Sequence, residues 1–380
     1  MKEALTPAEL AELLENTHNL ILHGAPGTGK THLAKEIAKE MKAEWKLVQF
    51  HPSYDYTDFV EGIRPKASVN GSADGFERKD GVFKEFCKNG LKENDNFDEA
   101  YEKFLENIRK SPDHTIYYET STGRKIFAIK EKETADSDIY IIPQTGNERE
   151  NTLSRKYLQN YLRTEECSNW YYSYIPSIRK HLIEDFGYKK SIFVFIIDEI
   201  NRGELSKIFG ELFYSIDPSY RGTDGRVQTQ YQNLVPKGDV FEKGFYVPEN
   251  VYIIGTMNDI DRSVESMDFA MRRRFTFKEI KAADTQKEIL CGAGGLPVEI
   301  QNEAVSRMDS LNKKIESIGG LSSDYHIGAA YFLKLKELNG DFEKLWEYHL
   351  EGLLQEYLRG MEDAEKLLAE LNKIYVQFVK

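Results

Sequence analysis

Residues 20–31 read Leu20-Ile21-Leu22-His23-Gly24-Ala25-Pro26-Gly27-Thr28-Gly29-Lys30-Thr31. Four residues suited to a buried strand run directly into a glycine-rich turn. The turn ends in a Lys-Thr pair that opens a helical pattern reaching Met41. The spacing fits GxxxxGK[ST]. Glycines at these positions let backbone N–H groups converge on phosphate oxygens, the lysine reaches the β- and γ-phosphates, and the threonine hydroxyl ligates Mg2+. The helix that begins there points its N-terminus at the anion. Gly24, Ala25, Pro26, Gly27, Thr28, Gly29, Lys30, Thr31 and the adjoining His32 are therefore the candidate nucleotide-binding residues. A second strand at 45–50 completes a strand–loop–helix–strand order, which predicts a βαβ unit in a parallel sheet. Upstream, Thr6-Pro7-Ala8-Glu9 reads as a helix N-cap with proline in the first turn.

Working outward, residues 191–197 form an apolar run of the kind a parallel strand covered on both faces shows. It delivers Asp198 and Glu199 at its carboxyl end, where open α/β sheets bind their ligands. Asp198 is the candidate metal residue beside Thr31, holding Mg2+ through water. Glu199 is the candidate base that orients and deprotonates an attacking water. The next buried strand, 251–256, ends in Gly255-Thr256-Met257-Asn258, and Asn258 there would face the γ-phosphate. Ala270-Met271-Arg272-Arg273-Arg274-Phe275 places three guanidiniums before a last short strand at 275–277. One use for them is an arginine finger acting on a neighbouring subunit; others are a solvated surface or a nucleic-acid contact.

Composition narrows the class. The chain has 380 residues with 51 basic and 63 acidic side chains, for a formal net charge of −12. Its average field repels nucleic acid, so any DNA contact is expected to be local. Cys87, Cys167 and Cys291 are scattered and odd in number, which argues against a disulfide framework or a zinc site. No apolar signal core and no run of ~18 apolar residues occurs, so a cytoplasmic protein that does not enter the membrane is expected.

The stretch between the second and third core strands, about 51–190, is far longer than a βα connection needs. It carries signals of its own: a helix near 96–110, a hairpin of 115–120 and 125–130, a strand at 138–142 and a helix at 154–163. The aromatics Tyr54, Tyr56, Phe59, Phe76 and Phe83 punctuate a glycine-containing loop, and packing is the expected role for most of them. Residues 218–248 read as a second excursion. Beyond Glu279, Phe342, Leu345, Trp346, Leu350, Leu353, Leu354 and Leu358 recur at helical spacing. The expected fold is an α/β P-loop NTPase core with a parallel sheet, an inserted α+β module and a C-terminal helical lid domain. Its parts are 1–90, first part of the core; 91–175, the insert; 176–278, second part of the core; and 279–380, the lid.

Together these residues resemble the AAA+ ATPase superfamily, and more closely the McrB family within it. Asp198-Glu199-Ile200-Asn201-Arg202-Gly203-Glu204-Leu205 is similar to that family's acidic strand end and the helix after it. Met257-Asn258-Asp259-Ile260-Asp261-Arg262-Ser263 fits its MNxxDRS signature. Asp268-Phe269-Ala270-Met271-Arg272-Arg273-Arg274-Phe275 fits D-x-A-L-RRRF with Met for Leu. His326-Ile327-Gly328-Ala329-Ala330-Tyr331-Phe332 is similar to IGxSYF in the lid.

The resemblance implies a GTPase, with GTP preferred over ATP, Mg2+ as cofactor, and assembly into a homo-oligomeric, hexameric ring with the nucleotide between subunits. It implies that Asn258 and Asp261 join Glu199 in the hydrolytic site and that Arg273 or Arg274 acts in trans. It also implies a McrC-like endonuclease partner, with DNA engaged through a pore, the insert or that partner. The phosphate loop begins at Gly24, so no separate DNA-reading domain is expected ahead of it in these residues. The lid arginine usual in the superfamily is not evident near Ala329-Ala330, where His326 is a candidate substitute. MoxR-like chaperones share the Asp-Glu-Ile-Asn-Arg stretch, which keeps an ATP-driven remodelling factor as the alternative. A non-hydrolysing nucleotide switch is disfavoured by Glu199 and Asn258.

Overall fold

In chain order the strands are β1 (Asn19–Gly24) and β2 (Glu44–Gln49); β3 (Glu61–Ala67) and β4 (Ala73–Asp80); β5 (Thr115–Glu119), β6 (Ile126–Glu131), β7 (Ile139–Pro143) and β8 (Asn151–Leu153); then β9 (Phe193–Asp198), β10 (Val251–Asn258) and β11 (Thr276–Glu279). The computed structural model describes residues 6–67, 73–91, 96–132, 137–144, 149–164, 167, 171–260, 269–292 and 294–377. These fall into two units. One comprises the described residues of Met1–Asp55, Val194–Ile208 and Tyr252–Lys380, the other those of Tyr56–Phe193 and Phe209–Val251.

The first unit is built on a five-stranded sheet in the order β11-β1-β10-β9-β2. β1, β9 and β10 are inner strands covered on both faces, which is why their sequences are nearly continuous apolar runs. β2 lies at the edge, and its Glu44, Trp45 and Lys46 are exposed. β1 runs parallel to β10 from Asn19↔Ile253 to Gly24↔Asn258, and parallel to β11 from Leu20↔Thr276 to His23↔Glu279. The helix Pro7–Thr17 that precedes the sheet opens with the expected cap: Glu9 N donates to Thr6 Oγ1 at 3.3 Å, and Thr6 N donates to Glu9 Oε2 at 2.7 Å.

After β11 the same unit is helical. The long helix Val298–Glu316 and the helix Ala364–Val376 enclose a core of Met308, Leu311, Ile315, Phe332, Leu345 and Trp346, among others. The helical stripe anticipated from the sequence faces this core: Leu345, Trp346, Leu350, Leu354 and Leu358 are buried. Trp346–Leu350 forms a π-helical turn.

The second unit contains a four-stranded antiparallel sheet, β5-β6-β7-β8, and the two-stranded ribbon β3-β4. The helix Phe97–Lys110 packs Phe97, Tyr101, Phe104, Leu105 and Ile108 against Phe127, Ile129, Ile139 and Ile141 of that sheet. The expected hairpin is present with register Thr115↔Lys130 to Glu119↔Ile126. β8 is a three-residue strand that no sequence pattern announced. The expected aromatic loop contains the ribbon: Tyr56, Phe59 and Phe83 are buried, with Phe59 stacked on Phe83 at 4.8 Å, whereas Phe76 on β4 is 75% exposed. Residues 218–248 form short 3-10 turns closed by a bridge between Val227 and Phe245.

A buried charge cluster ties the base of the ribbon to that excursion. Glu61 and Lys84 are both fully buried. Lys84 Nζ donates to Glu61 Oε2 at 2.7 Å and to Thr229 Oγ1 at 3.2 Å, while Arg78 Nε donates to Glu61 Oε2 at 2.9 Å. Tyr231 N donates to Glu61 Oε1 at 2.8 Å. Burial by itself would raise the Glu61 carboxyl, but the bonds from Lys84 and Thr229 outweigh it and hold the group at about 2. No helix among the described residues is long and apolar enough to cross a membrane.

Candidate functional site

Because β1, β10 and β9 are neighbours and run the same way, their carboxyl ends bring three chain segments together: residues 24–31, Asp198-Glu199 and Thr256-Met257-Asn258. The phosphate loop folds as its glycines require. Gly24 has φ +140°, and a Cβ there would lie 2.4 Å from Ile280 O. Gly29, at φ +83°, caps the helix Lys30–Glu40 from the left-handed region that only glycine adopts without strain. Lys30 is buried, and its Nζ donates to Ala25 O at 2.7 Å and Gly24 O at 3.1 Å. His32, next on the helix, is exposed.

Asp198 Oδ1 accepts from two hydroxyls, Thr31 Oγ1 and Thr256 Oγ1, each at 2.6 Å. The backbone N–H of Glu199 donates to Thr256 Oγ1 at 3.3 Å. Thr256 is therefore a hub of the site, joining the acidic pair to the neighbouring strand. In the sequence Thr256 is only one residue of a strand end, with no local signal of this role. Hydroxyl and carboxylate oxygens side by side are the donor set that Mg2+ favours when it also keeps waters and phosphate oxygens. Among the described residues no group of three or more His, Cys, Asp or Glu is gathered for a metal, so such an ion would rely on the nucleotide for further ligands.

Glu199 sits at φ 52°, ψ 47°, an uncommon conformation for a residue with a Cβ. The backbone there turns its carboxylate toward β10, where Asn258 Nδ2 donates to Glu199 Oε1 at 2.8 Å. Arg202 Nε lies 3.5 Å from the other carboxylate oxygen. Left-handed strain at a polar residue between two strand-end segments is the pattern of a side chain held for a task.

The lid touches the phosphate loop directly. Gly328 N donates to Pro26 O at 3.0 Å, Ala330 N to Gly27 O at 2.9 Å, and Thr285 Oγ1 to Thr28 O at 2.7 Å. A Cβ on Gly328 would sit 2.0 Å from the carbonyl carbon of Gly27. Residues 326–332 read in the sequence as a lid element, with no local signal of what they meet. His326 is a poor stand-in for an arginine: burial pushes its imidazole below the ordinary value and so disfavours the positive charge an arginine would carry.

The three arginines separate. Arg272 lies over the Phe277 ring at 5.4 Å, Arg274 Nη1 donates to Ala270 O at 2.6 Å, and Arg273 is exposed. Asp261 lies outside the described residues.

Residues 19–118 and 176–275, more than half of the chain, match the AAA domain (dynein-related subfamily), and residues 303–367 match the McrB alpha-helical lid domain. The chain is 29% identical over 323 residues to the type IV methyl-directed restriction enzyme EcoKMcrB subunit of Escherichia coli (strain K12), which covers 83% of this chain and 47% of that protein. It is 29% identical over 166 residues to the type II restriction enzyme BsuMI component YdiS of Bacillus subtilis (strain 168), covering 41% of this chain and 47% of that one. The chain thus spans about half the length of the curated relatives it matches.

Proposed function

The chain belongs to the AAA family and carries a McrB-type lid, and from that premise we propose that it is the GTP-hydrolysing motor subunit of a restriction complex. The observation that carries this reading is the Asn258–Glu199 hydrogen bond beside Asp198, which two hydroxyls hold in place.

In the proposed reaction the backbone N–H groups of residues 24–31 and the Lys30 ammonium take the β- and γ-phosphates. Lys30 exchanges its bonds to Gly24 O and Ala25 O for phosphate oxygens. Thr31, with Asp198 behind it, would hold Mg2+, whose charge offsets that developing on the β- and γ-oxygens. Glu199 accepts a proton from the attacking water, and Asn258 fixes the carboxylate's orientation. Phosphoryl transfer of this kind depends mostly on positioning and charge stabilisation. Arg273, being exposed, is the better placed of the two candidate arginines to reach a neighbouring subunit's nucleotide, as in a hexameric ring. Arg274 is engaged with its own backbone. Two relatives are named as parts of restriction enzymes, which supports a McrC-like endonuclease partner and DNA as the final target.

The test is steady-state hydrolysis of GTP and ATP by the purified chain, alone and with a McrC-like endonuclease from the same genome. GTP turnover that rises with the partner supports the proposal. Strict ATP preference and indifference to the partner would point instead to an ATP-driven remodelling factor.

A further inference from the structure

Asp259 follows Asn258 directly at the end of β10, and it is tied twice to the strand that feeds the phosphate loop. Its backbone N–H donates to Gly24 O at 3.3 Å, and its Oδ2 lies 2.9 Å from His23 Nδ1. His23 and Gly24 are the last two residues of β1, so consecutive residues grip the residue that directly follows β10 through side chain and backbone. The pair is mostly enclosed, with side chains 25% and 17% exposed. His23 is also held from its other side. Its carbonyl accepts from Ile280 N at 2.7 Å, and its ring meets the Phe277 ring edge-on at 6.0 Å. A carboxylate can only accept, so the bond requires the proton on Nδ1.

This placement is unusual in what it joins. The phosphate loop begins one residue after His23, and Asn258, the partner of Glu199, is one residue before Asp259. The side-chain bond from the end of β1 to the residue just past β10 is therefore a clamp between the segment that takes the phosphates and the residue that aims the base. Backbone ladder bonds alone would leave the end of β10 free to fray where it leaves the sheet, because ladders end there and water competes for the groups.

We propose that His23 and Asp259 are positioning residues for hydrolysis, acting as one unit to hold Asn258, and through it Glu199, in register with the phosphate loop. This rests on the hydrolytic reading above. It makes neither residue a contact of the nucleotide. The loss on removing the pair should therefore fall on turnover and not on binding.

The experiment compares the full chain with His23→Ala, Asp259→Ala, the double variant and His23→Asn, whose amide nitrogen can take the place of Nδ1. Nucleotide turnover is measured with the partner present and normalised to nucleotide bound, so that misfolded protein does not count. Both single variants are expected to lose about tenfold in kcat, as small misplacements near a reacting group do, with KM within about twofold. The double variant should be no worse than either single, since the two act through one bond. His23→Asn should recover most of the loss. Wild-type kcat in either alanine variant, multiplying losses in the double variant, or an asparagine variant as slow as His23→Ala would overturn the clamp while leaving the hydrolytic reading intact. Absence of turnover in the unaltered chain with its partner would overturn that reading and this inference with it.

Discussion

Asn258 Nδ2 donates to Glu199 Oε1 across two adjacent strand ends at 2.8 Å, and the residue that accepts is held at a positive φ of 52°. The pair sets the direction of the carboxylate without altering its charge. Glu199→Gln keeps the shape and removes the proposed base, so turnover should fall by about 10²–10⁴-fold, the usual range for a lost general base. Nucleotide should still bind. Asn258→Ala should slow turnover as well, with affinity kept. Single-turnover hydrolysis alongside equilibrium binding separates the two quantities.

Thr31 and Asp198 are joined at 2.6 Å, so either substitution should act mainly through the metal. Asp198→Asn is expected to raise the Mg2+ concentration needed for half-maximal turnover by an order of magnitude or more, and chelation should stop turnover in the unaltered chain. Lys30→Ala should act earlier, weakening nucleotide binding itself. A Mg2+ titration of turnover and a binding curve for each variant check these separately.

The lid's hold on the phosphate loop makes a different prediction. Gly328→Ala would place a methyl carbon 2.0 Å from the Gly27 carbonyl carbon, a backbone atom with no room to yield. The lid must then move off the loop, and Tm and nucleotide affinity should fall together. Thr285→Val removes one hydroxyl bond to Thr28 O at 2.7 Å and should cost about 1 kcal/mol of stability. Thermal denaturation with and without nucleotide distinguishes the displaced lid from the lost bond.

Glu61 predicts an acid-labile second unit. Its carboxyl is held at about 2, below the ordinary 4.5, so the unfolded chain binds the proton more readily than the folded one. The stabilisation is complete above about pH 4.5 and drains away as pH falls toward 2. Glu61→Gln should flatten that part of the pH profile. Lys84→Met would leave a buried carboxylate short of a partner and should destabilise by about 3–5 kcal/mol, as broken buried pairs do. Melting curves between pH 2 and pH 7 test both.

Arg273 and Arg274 should separate in mixed assemblies. Arg273→Ala is expected to leave folding intact and to lower turnover by about 10³-fold or more if it serves as a trans finger. Arg274→Ala loses a bond to Ala270 O and should lower Tm as well. Mixing Arg273→Ala with Glu199→Gln chains should restore part of the activity, since some interfaces then carry an intact pair.

Local chemistry was legible wherever one segment carries it. The phosphate loop needs glycine at positive φ next to a strand and a helix, and those requirements are written in residues 24–31. The apolar run before Asp198 announced a buried parallel strand, and the stripe from Leu345 to Leu358 announced a helix facing a core. The hairpin β5-β6 was legible for the same reason, since alternation and a Gly-containing turn are short-range signals.

What residues 24–31, 191–199 and 251–258 could not state is that β10 lies beside β1, or that β2 is pushed to the far edge although it comes second in the chain. Strand order is decided by pairings between segments far apart in the chain, such as Gly24↔Asn258, and such pairings have no local pattern. Thr256 as the partner of Asp198 and His23 as the partner of Asp259 follow from that order, and Gly328 meets the phosphate loop through the packing of the lid. The amino-acid sequence by itself singled out the candidates for phosphate, metal and water, because those roles depend on residue type and backbone freedom. Only the tertiary structure decided which of them meet, because a hydrogen bond forms between whichever side chains the packed sheet and lid bring within about 3 Å of each other.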